Sequence, residues 1–223
     1  MTRILYLHGF ASGPGSSKAR YFQEHLAAAG ARVEIPDLAA GDFEHLTLTG
    51  QLAVIGRAAA GEPVALIGSS MGGYLAALYA ARHPEVPRLV LLAPAFALAR
   101  RWPEWMGEAA VEKWRCTGVT EVFHYADNGM RPLAYTLLQD AARYEDYPDF
   151  RQPALIFHGA HDDAVPSRCS EEFAARHPNV RLEIVNSGHE LLDVLEGIGP
   201  KVARFLLGAG LPRAVFPNRQ PAL

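Results

Sequence analysis

Short apolar runs alternate along the chain with stretches whose apolar residues recur every three or four positions. The runs lie at 3–7 (RILYL), 31–35 (ARVEI), 63–67 (PVALI), 88–93 (RLVLLA), 154–158 (ALIFH) and 180–185 (VRLEIV). Their length and their Val, Ile and Leu content predict strands. Most are apolar throughout rather than alternating, as in strands covered on both faces of a parallel sheet. Helical spacing appears near 16–29, 46–60, 71–83, 167–177 and 189–207. The alternation predicts an α/β fold, a six-stranded, mainly parallel, doubly wound sheet. Chain order should map to the spatial order 2-1-3-4-5-6.

Residues 94–152 break this rhythm between the fourth and fifth strands. The segment is far longer than an ordinary connection. It holds all three tryptophans, Trp102, Trp105 and Trp114, with Phe96, Met106, Phe123, Tyr125 and Tyr135. Helical stretches near 104–115 and 131–143 predict an inserted helical cap. Large aromatics both anchor elements and line ligand pockets. Trp102, Trp105 and Met106 lie together, which suggests an apolar substrate pocket.

Composition narrows the classes. The 223 residues are 49% hydrophobic, enough for one domain with a sizeable core. A net charge of −3 leaves no basic footprint for nucleic acid. No apolar run reaches membrane-spanning length. Four apolar residues before His8-Gly9 are too few for a secretory core. Cys116 and Cys169 lie far apart, so two reduced thiols and a cytoplasmic location are expected. No feature of the sequence sets an oligomeric state. Leu211–Leu223 holds three prolines and is expected to be an extended end.

The third strand runs into Gly68-Ser69-Ser70-Met71-Gly72-Gly73 and then a helix. This is G-x-S-x-G in a strand–turn–helix context, which lifts a serine oxygen clear of the sheet at a helix N-terminus. The spacing selects Ser70 over Ser69. A serine needs a base, and the base an orienting acid, in the chain order Ser, Asp or Glu, His. The fifth strand ends in HGAHDDAVP (158–166), and NSGHE (186–190) follows the sixth. Both are loops at strand C-terminal ends, where open α/β sheets place their sites. His189 is the candidate base and Asp162 the candidate orienter, with Asp163 as its rival. A metal reading of His158, His161, Asp162 and Asp163 fits no zinc spacing, and His158 ends a buried strand. His25, His45, His83, His124 and His177 belong to no motif and are expected on the surface or in packing.

The stretch HGFASGPGSSKA (8–19) follows the first strand and opens a helix, with Ser16 and Ser17 as N-caps. It matches neither the P-loop nor the dinucleotide glycine pattern. A serine hydrolase needs two N–H donors for its tetrahedral oxyanion, one after the nucleophile and one from an early loop. These are assigned to Met71 and Phe10. Gly9 allows close backbone approach, and His8 is expected to brace the loop. Lys18 is expected to be a solvated helix residue.

Together these residues resemble the α/β-hydrolase superfamily over nearly the whole chain, and more closely the small bacterial YqiA/YcfP-type esterases. The carrying stretches are YLHGFASGPGSSKA (6–19), LIGSSMGGYLA (66–76), HGAHDDAVP (158–166) and SGHELLD (187–193). The family's G-x-x-D-x-x-V-P pattern favours Asp162 over Asp163. The resemblance implies hydrolysis of small or medium carboxylic esters, without a cofactor. An acyl-thioesterase or depalmitoylase would share every one of these residues. A serine peptidase would need a grip for a peptide amine, such as Glu104, Glu108 or Glu112, which solvated helix faces explain better. A non-catalytic binding module would be marked by a missing triad member, and none is missing.

Overall fold

In the computed structural model, which describes residues 1–208, adjacent residues of the first strand turn to opposite faces and are buried on both. The elements in order are β1 (Arg3–Leu7), α1 (Ser17–Ala28), β2 (Arg32–Glu34), α2 (Leu48–Ala59), β3 (Ala65–Ser69), α3 (Met71–Arg82) and β4 (Leu89–Leu92). Then follow α4 (Leu98–Met106), α5 (Glu108–Thr117), β5 (Val119–His124), β6 (Gly129–Ala134) and α6 (Thr136–Ala141). The chain closes with β7 (Ala154–Gly159), α7 (Arg168–Arg176), β8 (Val180–Val185) and α8 (Leu195–Leu207). The extended end expected at Leu211–Leu223 lies outside the described residues.

Six strands form one parallel sheet in the order β2-β1-β3-β4-β7-β8. This is the order predicted for the six apolar runs. Leu5, Leu7, Leu66, Leu89, Leu91 and Ile156 face one way, against Ile55 of α2, Leu75 and Leu78 of α3 and Phe173 of α7. Ile4, Tyr6, Ile67, Val90, Leu92 and Phe157 face the other, against Phe22 and Leu26 of α1 and Ile198 and Val202 of α8. Burying each such side chain contributes about 1.5–3 kcal/mol, which is why these strands read as unbroken apolar runs.

The segment between β4 and β7 departs from expectation. Residues 131–143 are not a helix: β5 and β6 form an antiparallel hairpin, and only the six residues of α6 are helical. The outer strand residues Val119, Glu121 and Phe123 alternate with more buried Thr120, Val122 and His124, a two-residue period. The helix expected at 104–115 is two helices, α4 and α5, broken at Gly107, whose φ of 88° suits glycine. Residues 189–194 are loop and one 3-10 turn, so α8 begins later than its apolar spacing suggested.

Aromatic and polar contacts fasten this segment to the sheet. The Trp114 indole is buried and donates to the Leu133 carbonyl at 2.9 Å. The Asp140 carboxylate accepts from the Thr49 N–H at 2.8 Å and its hydroxyl at 2.7 Å, at the N-terminus of α2 where negative charge is favoured. The Tyr125 N–H donates to the Ala11 carbonyl at 2.8 Å, tying the hairpin turn to the loop after β1.

Candidate active site

Ser70 sits between β3 and α3 with φ 54° and ψ −118°. This is a costly conformation for a side-chain-bearing residue. The turn is held from outside: the Ser70 N–H donates to the Leu92 carbonyl at 2.8 Å, and the Ser70 carbonyl accepts from Ala95 at 3.0 Å. The flanking glycines are demanded by space. A Cβ at Gly68 would lie 2.2 Å from the Gly72 carbonyl oxygen, and one at Gly72 would lie 2.1 Å from that of Leu7.

Asp162 and His189 come from the loops after β7 and β8. The His189 Nδ1–H donates to Asp162 Oδ2 at 2.7 Å. Asp162 Oδ1 accepts from the N–H groups of Val165 at 2.7 Å and Ala164 at 3.0 Å. Burial opposes ionisation of this carboxyl, but the hydrogen bonds from His158 and His189, the His189 charge and the Val165 N–H outweigh it. Its pKa is therefore held well below the usual carboxylate range. Asp163 instead lines the open cavity. A close glycine contact sets the two loops together: a Cβ at Gly159 would lie 2.4 Å from the Ser187 and Gly188 carbonyl oxygens.

His158 has a place in this site that its sequence context did not reveal. It is wholly buried, with Nε2 3.1 Å from Asp162 Oδ2 and 2.8 Å from the Val165 carbonyl. Nδ1 accepts from the Ser170 hydroxyl at 2.7 Å. Both ring nitrogens are thereby used, and neither offers a lone pair to a metal. His161 lies apart, with Nε2 2.9 Å from Asn186 Oδ1 on the surface.

The loop after β1 forms the facing wall. His8 is buried, donating from Nδ1 to the Gly9 carbonyl at 3.0 Å and accepting the Leu38 N–H at Nε2, 3.2 Å away. Burial lowers its pKa, which suits this neutral ring. Gly9 packs beside Ser70, and a Cβ there would lie 3.4 Å from that of Ser70. Among the described residues the N–H groups of Phe10 and Met71 have no hydrogen-bond acceptor.

Ser70, His189, Phe10 and Met71 all line one cavity of about 1260 Å³. Trp102 and Trp105 line it too, with ring centroids 5.3 and 6.1 Å from that of Phe10. Met106, expected beside them, packs against the core instead. The Trp102 indole N–H is buried without a partner among the described residues. Lys18 corrects another expectation: it is not solvated, its side chain being only 9% exposed, and it lines the same cavity. A lysine two positions after an N-cap gives no sign in sequence of facing inward.

The comparisons with known proteins agree with this architecture. The family model described as "Uncharacterised protein family (UPF0227)" matches residues 3–205. No curated protein matches the chain by sequence. Among solved structures, it is similar to Est1E from Butyrivibrio proteoclasticus, with 23% identity and a TM-score of 0.75 over 93% of this chain and 87% of that one. Mouse alpha/beta hydrolase domain-containing protein 10 gives 18% identity and a TM-score of 0.76 over 93% and 90%. A Paleococcus ferrophilus monoacylglycerol lipase gives 17% identity and 0.74 over 92% and 94%. The fold is that of the α/β hydrolases.

Proposed function

The chain belongs to the UPF0227 family, and from that premise we propose that it is a serine hydrolase cleaving carboxylic esters of small or medium acyl groups. One observation carries the reading. Ser70, in its strained turn, opens on the same cavity as a His189 whose Nδ1 is already bound to a buried carboxylate. The similar solved structures, an Est1E and a monoacylglycerol lipase among them, lend support in kind.

The mechanism follows from the roles the geometry allows. Asp162 fixes the His189 tautomer, so Nε2 is the basic nitrogen. That nitrogen takes the Ser70 proton as Oγ attacks the ester carbonyl. The unpaired N–H groups of Phe10 and Met71 receive the developing oxyanion, aided by the N-terminus of α3. The imidazolium returns its proton to the leaving alcohol, and an acyl group remains on Ser70. Water, deprotonated by His189, then releases the acid. No step calls for a cofactor. The neutral aromatic wall of Trp102 and Trp105 suits an apolar acyl chain.

A p-nitrophenyl ester series of increasing acyl length tests the reading. Turnover by the wild type, with a loss of several orders of magnitude in Ser70→Ala, supports it. Near-normal turnover by Ser70→Ala overturns it. A thioester series run alongside separates esterase from thioesterase by relative kcat/KM.

A further inference from the structure

Lys18 stands where stability alone disfavours a lysine. It occupies the second position of α1, where the helix dipole opposes a cation. Its side chain is nine-tenths buried. Its nearest acid oxygen, Glu190 Oε2, is 3.8 Å away, longer than a hydrogen bond, and belongs to a side chain that is 72% exposed. Burial lowers the Lys18 pKa, opposed only in part by the charges of Glu190 and Asp162. Two penalties therefore meet at one residue, and that residue faces the cavity that holds Ser70. Local rules broken together at a cavity wall are the mark of a group kept for its function.

The surroundings of Lys18 specify a ligand. Ser12, Ser16 and Ser17 line the same cavity. Among the described residues the backbone N–H groups of Ser17 and Lys18, in the first turn of α1, have no acceptor. An ammonium, the hydroxyls of Ser12 and Ser17 and a helix N-terminus together make an oxyanion site, while the Ser16 oxygen caps the helix by accepting from the Ala19 N–H. The other lysine or arginine lining the cavity among the described residues, Arg101, is paired through Nε with Glu104 at 3.0 Å. Asp163, Glu190 and Asp193 lie around the same cavity. Among the described residues Lys18 has only the loose pair with exposed Glu190, and one cation so placed among carboxylates suits a monoanion better than a phosphate dianion.

We propose that Lys18 and the first turn of α1 form a subsite for a carboxylate borne by the ester substrate, remote from the bond cleaved at Ser70. The proposal rests on the reading of Ser70 as the nucleophile. A bound carboxylate would satisfy the Lys18 ammonium, complement the helix dipole and fix the ester in register with the oxyanion donors. The subsite selects substrates rather than performing chemistry.

The test compares matched esters. In one pair, p-nitrophenyl hydrogen glutarate is set against its methyl ester. In the other, 4-carboxyphenyl butyrate is set against its methyl ester. For at least one pair, the ratio of kcat/KM for the anionic over the neutral ester should fall tenfold or more in Lys18→Gln, mainly through KM. Lys18→Arg should retain more of the ratio. An unchanged ratio in both pairs overturns the subsite, as does an equal loss on anionic and neutral esters, which would make Lys18 a support for the His189 loop. Calorimetric titration with glutaramate, the monoanionic monoamide of glutarate, at low salt reads the subsite without turnover. Binding by the wild type that is lost in Lys18→Gln supports it. Absence of binding, or tighter binding of inorganic phosphate, overturns the carboxylate assignment. If Lys18→Gln fails to fold, competition by glutaramate against the neutral esters in the wild type decides the matter: inhibition supports the subsite and its absence overturns it. If the wild type cleaves none of the four esters, the nucleophile reading fails while the titration still judges the subsite.

Discussion

His158 Nε2 lies 3.1 Å from Asp162 Oδ2, the same oxygen that accepts the His189 Nδ1–H at 2.7 Å. One carboxylate oxygen thus serves two imidazoles, one wholly buried and one at the cavity wall. The other oxygen is held by two backbone N–H groups. Apart from His189, the acid is thus held by two backbone N–H groups and by an imidazole N–H that it shares with the Val165 carbonyl, 2.8 Å from the same nitrogen. Orientation of the base is built into β7 and its loop rather than into the base's own loop.

Replacing His158 should loosen that arrangement. In His158→Leu, Asp162 loses a donor and the Ser170 hydroxyl loses its buried acceptor. A hydrogen bond to a charged group is worth about 1.5–3 kcal/mol, so kcat should fall ~10- to 100-fold. Steady-state kinetics with a short-chain ester, read beside a thermal melt, check this. Wild-type kcat in a folded variant would show that the backbone donors suffice.

Acid should destabilise the protein through Asp162. The folded-state pKa lies below the unfolded value of about 3.9. The stabilisation is therefore complete above that unfolded value and is lost as pH falls through the folded one. Chemical denaturation between pH 7 and 2 should show a steeper loss below about pH 4 for the wild type than for Asp162→Asn. Parallel curves would remove Asp162 from the acid transition.

The elbow glycines and an exposed helical glycine should respond oppositely to alanine. In Gly68→Ala and Gly72→Ala, the new Cβ meets backbone oxygen at 2.2 and 2.1 Å, so both variants should misfold or lose activity. Gly197, in α8, has nothing within 4 Å of an added Cβ. Gly197→Ala should raise stability by about 0.5–1 kcal/mol and leave turnover intact. Melting curves with an ester assay test all three together.

Much of this was legible in the sequence, and the failures share a cause. Strands such as Ile4–Leu7 and Leu89–Leu92 are buried on both faces, so their composition alone declares them. The elbow at Gly68–Gly72 is legible because sterics admit no residue other than glycine at the flanks. The hairpin at 119–134 left no clear period because it is half exposed: apolar Val119 and Phe123 stand on the exposed face of β5 while Thr120 and His124 stand on the more buried one. Asp162 could be separated from Asp163 only by a family pattern, since a one-residue choice in a loop depends on backbone direction. The burial of Lys18 and the contact of His158 with Asp162 arise from tertiary packing. Neither leaves a trace in local spacing.

Trp105 should set acyl preference without holding the fold. Trp105 is 59% exposed, lines the cavity and stacks edgewise on Phe10 and Trp102. Trp105→Ala should leave the melting temperature nearly unchanged and raise KM more for octanoyl than for acetyl esters, by roughly tenfold. Trp102→Phe should keep the packing while deleting an unpaired indole N–H, at little or no cost in stability. A uniform KM change across chain lengths would place the acyl chain elsewhere.

The measurement that bears most directly on the central claim is intact-mass analysis after exposure to a fluorophosphonate, on the wild type and on folded Ser70→Ala. The account predicts one covalent adduct on the wild type, located at Ser70 by peptide mapping, and none on the variant. A folded wild type that takes up no adduct, or one labelled equally after loss of Ser70, would contradict it.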